Sequence, residues 1–240
     1  MTWSILVRDP ATGALGAAVA TRFFAVGALC LHVEGGVAAL ATQALINPMY
    51  AVHGMARLRA GEVPDAVSAA LAAGDAGRAH RQLHMIDAAG RIAQHTGAAC
   101  ITWCGSVWGQ DVSVAGNMLA GNMFAGPGVV EATLAAYQRA TGSLAERLLT
   151  ALEAGEAAGG DKRGKQSAAL KICTADPYPD LDIRADDHPD PLAELRRLHR
   201  VSLERFAVFR RFLAGADSPC GVFDRTVIDA AVAREGRPPT

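Results

Sequence analysis

Four strand-forming segments crowd residues 2–42, and each is apolar on both faces. Residues 2–8 are rich in β-formers, Asp9-Pro10-Ala11-Thr12-Gly13 makes a tight turn, and residues 15–21 return as the partner strand. Residues 28–33 and 36–42 read as a second strand pair, bent at Glu34-Gly35. A sheet with one wet face alternates apolar and polar residues. Strands that are apolar on both faces need cover on both sides. The fold must therefore stack layers on each side of this sheet.

The rest of the chain supplies those layers. Asn47 caps a helix that starts with Pro48 and runs to about Ala60, and Glu62-Val63-Pro64-Asp65 opens another that ends near Ala73. Residues 82–87 and 91–94 read as strands around an Ala88-Ala89-Gly90 turn, followed by strands at 99–103 and 111–115. A helix runs from Gly126-Pro127 to Ala140. Ser143 caps the next, 144–157, with Glu146 completing a capping box. Strands follow at 167–173 and 181–185. Asp190-Pro191 then opens one long helix to about Leu213, and a short helix occupies 224–234. Strand blocks separated by helix pairs predict an α+β fold: a four-layer αββα sandwich of two stacked, mainly antiparallel sheets between helix layers. Residues 1–214 are read as that domain, and 215–240 as a C-terminal extension.

Composition narrows the function classes. A net charge of −1 and 5% aromatic residues argue against a nucleic-acid-binding chain or one built for anionic membranes. No run reaches the ~20 apolar residues of a membrane span. The start lacks a basic segment followed by a long apolar one, so a cytoplasmic protein is expected. Five cysteines without CxxC spacing indicate neither a zinc site nor a disulfide framework. No metal and no cofactor are expected.

Thr2 is small enough for an aminopeptidase to remove Met1. The mature chain then begins with a residue that carries both an α-amine and a hydroxyl. Such a pair serves as base and nucleophile without a His or Asp helper, because an α-amine titrates near roughly 7.7–8.0. The plain alternative is an inert chain end that frays.

Several segments carry a family resemblance. They are the opening Thr2-Trp3-Ser4-Ile5-Leu6-Val7-Arg8-Asp9-Pro10, Ala20-Thr21-Arg22-Phe23-Phe24, Ala41-Thr42-Gln43-Ala44, Gly116-Asn117-Met118-Leu119-Ala120-Gly121, the stretch from Gly159 to Ala169, and Asp186-Asp187-His188-Pro189. Together they resemble the bacterial domain of unknown function 1028 family, in the N-terminal-nucleophile (Ntn) hydrolase-like superfamily. The resemblance implies the αββα fold, with the first strand placing Thr2 in a cleft between the sheets. It implies no substrate.

Candidate site residues follow from these segments. Thr2 is the nucleophile. Arg22, at the end of the partner strand, is expected to lie partly buried near the chain start, where it lowers the amine's pKa by like-charge repulsion or binds a carboxylate. Asn117, with Gln43 as second choice, is the oxyanion donor; each could equally be a strand-ending amide. Asn122 repeats the Gly-Asn-Met pattern of Asn117. Asp161, Arg163 and Gln166 lie in or beside the Gly-rich charged loop, and Asp187 and His188 precede the long helix. All five are substrate-binding candidates, although such loops are usually solvated and the acidic run suits helix capping. His84 and His95 are read as structural, and Ser4 as a fallback hydroxyl without an assigned base. The expected reaction is hydrolysis of a small-molecule amide or short peptide. The alternative is a non-catalytic Ntn-like protein that binds a small metabolite or serves in an assembly. The apolar residues Phe206, Val208, Phe209 and Phe212 suggest a homo-oligomer, although they could equally lie on the chain's own sheet.

Overall fold

The structure is a computed structural model that describes residues 2–119 and 128–237. Its strands are β1 (Thr2–Arg8), β2 (Leu15–Thr21), β3 (Leu31–Glu34), β4 (Ala38–Ala44), β5 (Arg81–Asp87), β6 (Ile92–Thr96), β7 (Gly105–Gly109), β8 (Val112–Asn117), β9 (Ser167–Cys173) and β10 (Leu181–Ala185). Its helices are α1 (Pro48–Arg59), α2 (Pro64–Ala73), α3 (Gly128–Arg139), α4 (Leu144–Ala157), α5 (Pro191–Glu204), α6 (Phe206–Phe209) and α7 (Arg225–Glu235). Six strands form one antiparallel sheet in the order β10-β9-β2-β1-β8-β7, and four form a second in the order β3-β4-β5-β6.

The two sheets stack, and helices cover both outer faces. Side chains of β1 alternate accordingly. Trp3, Ile5 and Val7 pack with Val130, Leu148, Leu149 and Leu152 of α3 and α4. Leu6 instead meets Leu15, Ala17 and Val19 of its own sheet and Ala39, Ala41 and Ile86 of the other. The outer face of the smaller sheet, with Leu40, Leu83 and Met85, packs on Tyr50, Met55, Leu58, Val67 and Leu71 of α1 and α2. Each fully buried Leu or Ile adds about 1.5–3 kcal/mol to the driving force. This is the αββα sandwich that strands apolar on both faces require.

Local signals place the helices. The Asn47 side chain accepts from Met49 N–H at the start of α1, and Ser143 and Glu146 close a capping box on α4. Gly155 lets α4 approach the sheet: a Cβ there would lie 2.3 Å from Thr133 Oγ1 and 2.7 Å from Trp3 Nε1.

Three expectations are corrected. Residues 28–33 are not one strand. Val26–Ala28 form a 3-10 turn, Cys30 N–H returns to the Val26 carbonyl, and β3 starts only at Leu31. Residues 99–103 form no strand. The strand beside β8 is Gly105–Gly109, an edge strand whose glycines weaken its signal. The single helix to Leu213 breaks at Arg205 (φ −140°). There the C-terminal segment docks, with Arg237 N–H on the Leu203 carbonyl and Arg205 paired with Asp229. Met1, Asn122 and the expected helix start at Gly126-Pro127 lie outside the described residues.

Candidate active site

β1 is central in its sheet, so Thr2 has a strand on each side. It pairs with Thr21 of β2 and with Asn117 of β8. Directly opposed residues of a sheet share a face, so all three side chains turn toward the gap between the sheets. Thr2 is only 8% exposed, and its Oγ1 lies 3.1 Å from Thr21 Oγ1. A chain start held in this way does not fray.

The gap changes character along its length. At one end it is filled by Leu6, Leu15 and Ile86. Toward Thr2 the same strand faces carry Ser4, Gln43, Gln82, His84, Ser113 and Asn117, all buried. These polar groups satisfy one another, as buried polar groups must. Gln82 Oε1 accepts from Gln43 Nε2 at 2.8 Å and from Asn117 Nδ2 at 3.0 Å. Gln82 Nε2 faces Thr96 Oγ1 and the carbonyls of Gly105 and Gly116. Ser4 Oγ donates to Gln43 Oε1 at 2.8 Å and lies 2.7 Å from His84 Nε2. His84 Nδ1 lies 2.8 Å from Ser113 Oγ, which accepts from Gln94 Nε2.

One proton arrangement fits these contacts. With the Ser4 proton on Gln43, His84 Nε2–H donates to Ser4 and Nδ1 accepts from Ser113. The imidazole is neutral, because burial pushes its pKa down to about 3. Ser4 thus has a histidine beside it, a contact the sequence reading did not find. However, both side chains are fully buried, and the hydroxyl proton points away from the ring.

A cavity of about 230 Å³ opens at Thr2, lined by Thr2, Thr21, Thr42 and Gln43 and walled by apolar side chains, with Arg163 at its edge. A second cavity of about 280 Å³ adjoins it across Ala44 and Met118 and includes Asn117. Among the described residues, four non-glycines have left-handed backbones, and three of them line the Thr2 cavity: Ala25 (φ 49°), Ala44 (φ 68°) and Met118 (φ 55°). Each costs on the order of 1–2 kcal/mol, and such strain concentrates where a site dictates chain direction.

The Gly-rich loop closes one side. Asp161, its side chain 1% exposed, accepts from Arg22 N–H at 2.7 Å and Arg163 N–H at 2.8 Å. It also binds the Arg163 guanidinium, with Nε 3.2 Å from Oδ1 and Nη2 3.0 Å from Oδ2. Arg22 departs from expectation. Its side chain is exposed, not partly buried, and its Nη1 reaches the Arg163 carbonyl at 3.1 Å. It lines a separate surface pocket with Lys165, Gln166, Asp187 and His188. There Gln166 Nε2 donates to Asp187 Oδ1, and His188 Nδ1 accepts from Asp190 N–H in the turn that caps α5. The structure thus brings Thr2, Gln43, Asn117, Asp161 and Arg163 together and sets Arg22, Gln166, Asp187 and His188 on the outer side of the Thr21–Arg22 corner. Among the described residues, no cluster of three His, Cys, Asp or Glu could hold a metal ion, and no helix is long and apolar enough to cross a membrane.

The fold and site define a four-layer α+β protein with a threonine-lined cleft at the head of its central strand. The chain belongs to the family of unknown function DUF1028, which matches residues 2–195. The crystal structure of protein SPO2555 from Silicibacter pomeroyi, of the same family, is 31% identical over 93% of this chain and 99% of its own, with a TM-score of 0.84. Anbu, an ancestral beta-subunit from Yersinia bercovieri, is 13% identical over 88% of this chain and 98% of its own, with a TM-score of 0.37. No functionally curated protein matches the chain.

Proposed function

We propose that the chain is an N-terminal-nucleophile hydrolase of amide or peptide bonds, acting through Thr2 once Met1 is removed. The observation that carries this reading is the position of Thr2: the head of a central strand, opening into a cavity with the Gln43 amide on the opposite sheet. Thr2 Oγ1 attacks the substrate carbonyl carbon while its proton passes to the α-amine. The C–N bond then breaks, and the same proton leaves with the departing amine. Water adds to the resulting threonyl ester and gives a proton to the α-amine; the C–O bond then breaks as that proton passes to Thr2 Oγ1, which releases the acid and restores the free hydroxyl and amine. Asn117 and Gln43 each donate one amide N–H to Gln82 and carry a second. In this reading those second N–H groups meet the oxyanion. Asp161 fixes Arg163 at the cleft edge, and Arg22, Gln166, Asp187 and His188 offer an outer contact surface for the rest of the substrate.

Intact-mass analysis of the purified chain with turnover of an amide library tests this. The expected result is a mass lacking Met1 and activity that Thr2→Ala abolishes. A chain that retains Met1 and turns over no amide overturns the mechanism and leaves the metabolite-binding or assembly reading, and full activity in processed Thr2→Ala overturns it by placing the chemistry on another residue.

A further inference from the structure

The Thr2 cavity also limits what the nucleophile can accept. Resting on the hydrolase reading above, we infer that this cavity takes a small, uncharged, apolar acyl group, so that the substrate is the neutral amide of a short aliphatic or arylalkyl carboxylic acid. The walls are Phe23, Val26, Leu29, Ile46 and Met118. Their polar companions are the hydroxyls of Thr2, Thr21 and Thr42 and the Gln43 amide. Cys30, also in the lining, adds no charge, since burial pushes its thiol up to about 12. Arg163 at the edge has the Asp161 carboxylate against its guanidinium, so its charge is balanced within the protein. Among the side chains of the described lining residues there is neither a carboxylate to receive an ammonium group nor a cation lacking a carboxylate, and the α-amine of processed Thr2 acts as the neutral base. An acyl group bearing a free amine or a second carboxylate would bury its charge against hydrocarbon without a partner, which disfavours binding. At about 230 Å³ the cavity lies below the usual ~300–1,000 Å³ of drug-sized sites. The cavity is assigned to the acyl group, not the amine, because the acyl group stays bonded to Thr2 Oγ1 after the amine has left. The space that Thr2 itself lines must hold it through both halves of the reaction.

Boronic acids test this on the processed full chain, because boron accepts a bond from the Thr2 oxygen with no leaving group. Isopentylboronic acid is compared with aminopropyl- and carboxyethylboronic acid by calorimetry and boron NMR. The expected result is binding of the isopentyl compound about tenfold or more tighter than either charged one. Replacing the half-exposed Leu29 with Arg (Leu29→Arg) should move the preference toward the carboxyethyl compound. Adduct formation with equal or tighter binding of a charged boronate overturns the acyl-group inference and leaves the Thr2 reading standing. If no boronate forms an adduct, the Thr2 reading fails. The cavity is then judged by NMR shifts at Phe23 and Leu29 with isopentanamide against succinamic acid. A preference for the apolar amide upholds a small, uncharged, apolar occupant for this cavity, and its absence overturns that as well.

Discussion

Asn117 Nδ2 lies 3.0 Å from Gln82 Oε1, a hydrogen bond that ties the six-stranded sheet to the four-stranded sheet facing it. The same Gln82 oxygen accepts from Gln43. One buried side chain therefore sets the orientation of both amides proposed to meet the oxyanion.

Gln82→Met removes that acceptor and leaves two buried amide groups short of a partner. Turnover should fall in kcat by about 10- to 100-fold with little change in KM, because the loss lies in transition-state positioning. Stability should fall by about 2–4 kcal/mol. Steady-state kinetics and urea unfolding of the same variant separate the two effects. An unchanged kcat would remove Gln82 from the positioning role.

Protonating His84 costs folding free energy. Its folded-state pKa is pushed down to about 3 by burial, while the unfolded chain binds this proton near 6.5. Its partners Ser4 and Ser113 carry no charge to offset a proton. The stability due to the neutral ring is complete above about pH 6.5 and is lost as pH falls toward 3. Between about pH 7 and pH 4.5 the loss is roughly 2–3 kcal/mol. Burial also lowers His199 and His32, so the comparison is with His84→Gln, whose amide can replace both ring contacts. Urea midpoints across this range should fall more steeply for the native chain. Parallel curves would sink the assignment.

Asp161→Asn keeps the shape of the loop anchor and removes its charge. The charge-assisted hydrogen bonds from Arg163 and from the Arg22 and Arg163 N–H groups are then weakened, and stability should fall by about 1.5–3 kcal/mol. Arg163→Ala should cost less, because Asp161 keeps the N–H groups of Arg22 and residue 163. A double-mutant cycle by chemical unfolding reads the coupling directly. Zero coupling would mean that the ion pair does not hold the loop.

Gly155→Ala should destabilise the fold even though Ala favours helix over Gly by about 1 kcal/mol. The added methyl would press on Thr133 and Trp3. Overpacking of this kind costs about 1–3 kcal/mol, so the net loss should reach up to about 2 kcal/mol. A raised melting temperature would show that α4 moves away from the sheet freely.

The fold was legible where local chemistry decides structure. β1 and β2 fall where β-formers and the turn at residues 9–13 place them, β9 and β10 occupy the expected residues, and the caps Asn47 and Ser143 start α1 and α4 as expected. It was not legible where distant segments decide. The break at Arg205 depends on α7 docking, and β7 is an edge strand with a weak pattern of its own. At the site, the chain pattern pointed to Thr2, Gln43 and Asn117, whereas Gln82 was missed and His84 was read as structural without its contact to Ser4. Their partners come from the other sheet, and how two sheets stack is not a local property. A signal was present: Gln82 and His84 occupy the face of β5 that Ile86 shows to be buried.

The central place of β1 also sets an order of events in time. Thr2 is covered once β8 pairs beside it, and β8 leaves the ribosome on the order of a hundred residues after β1. At roughly 5–20 residues per second, that interval is about 5–20 s. Removal of Met1 and closure of the sheet therefore compete on the nascent chain. Under the proposed mechanism, the rate of synthesis helps to set what fraction of molecules emerges active.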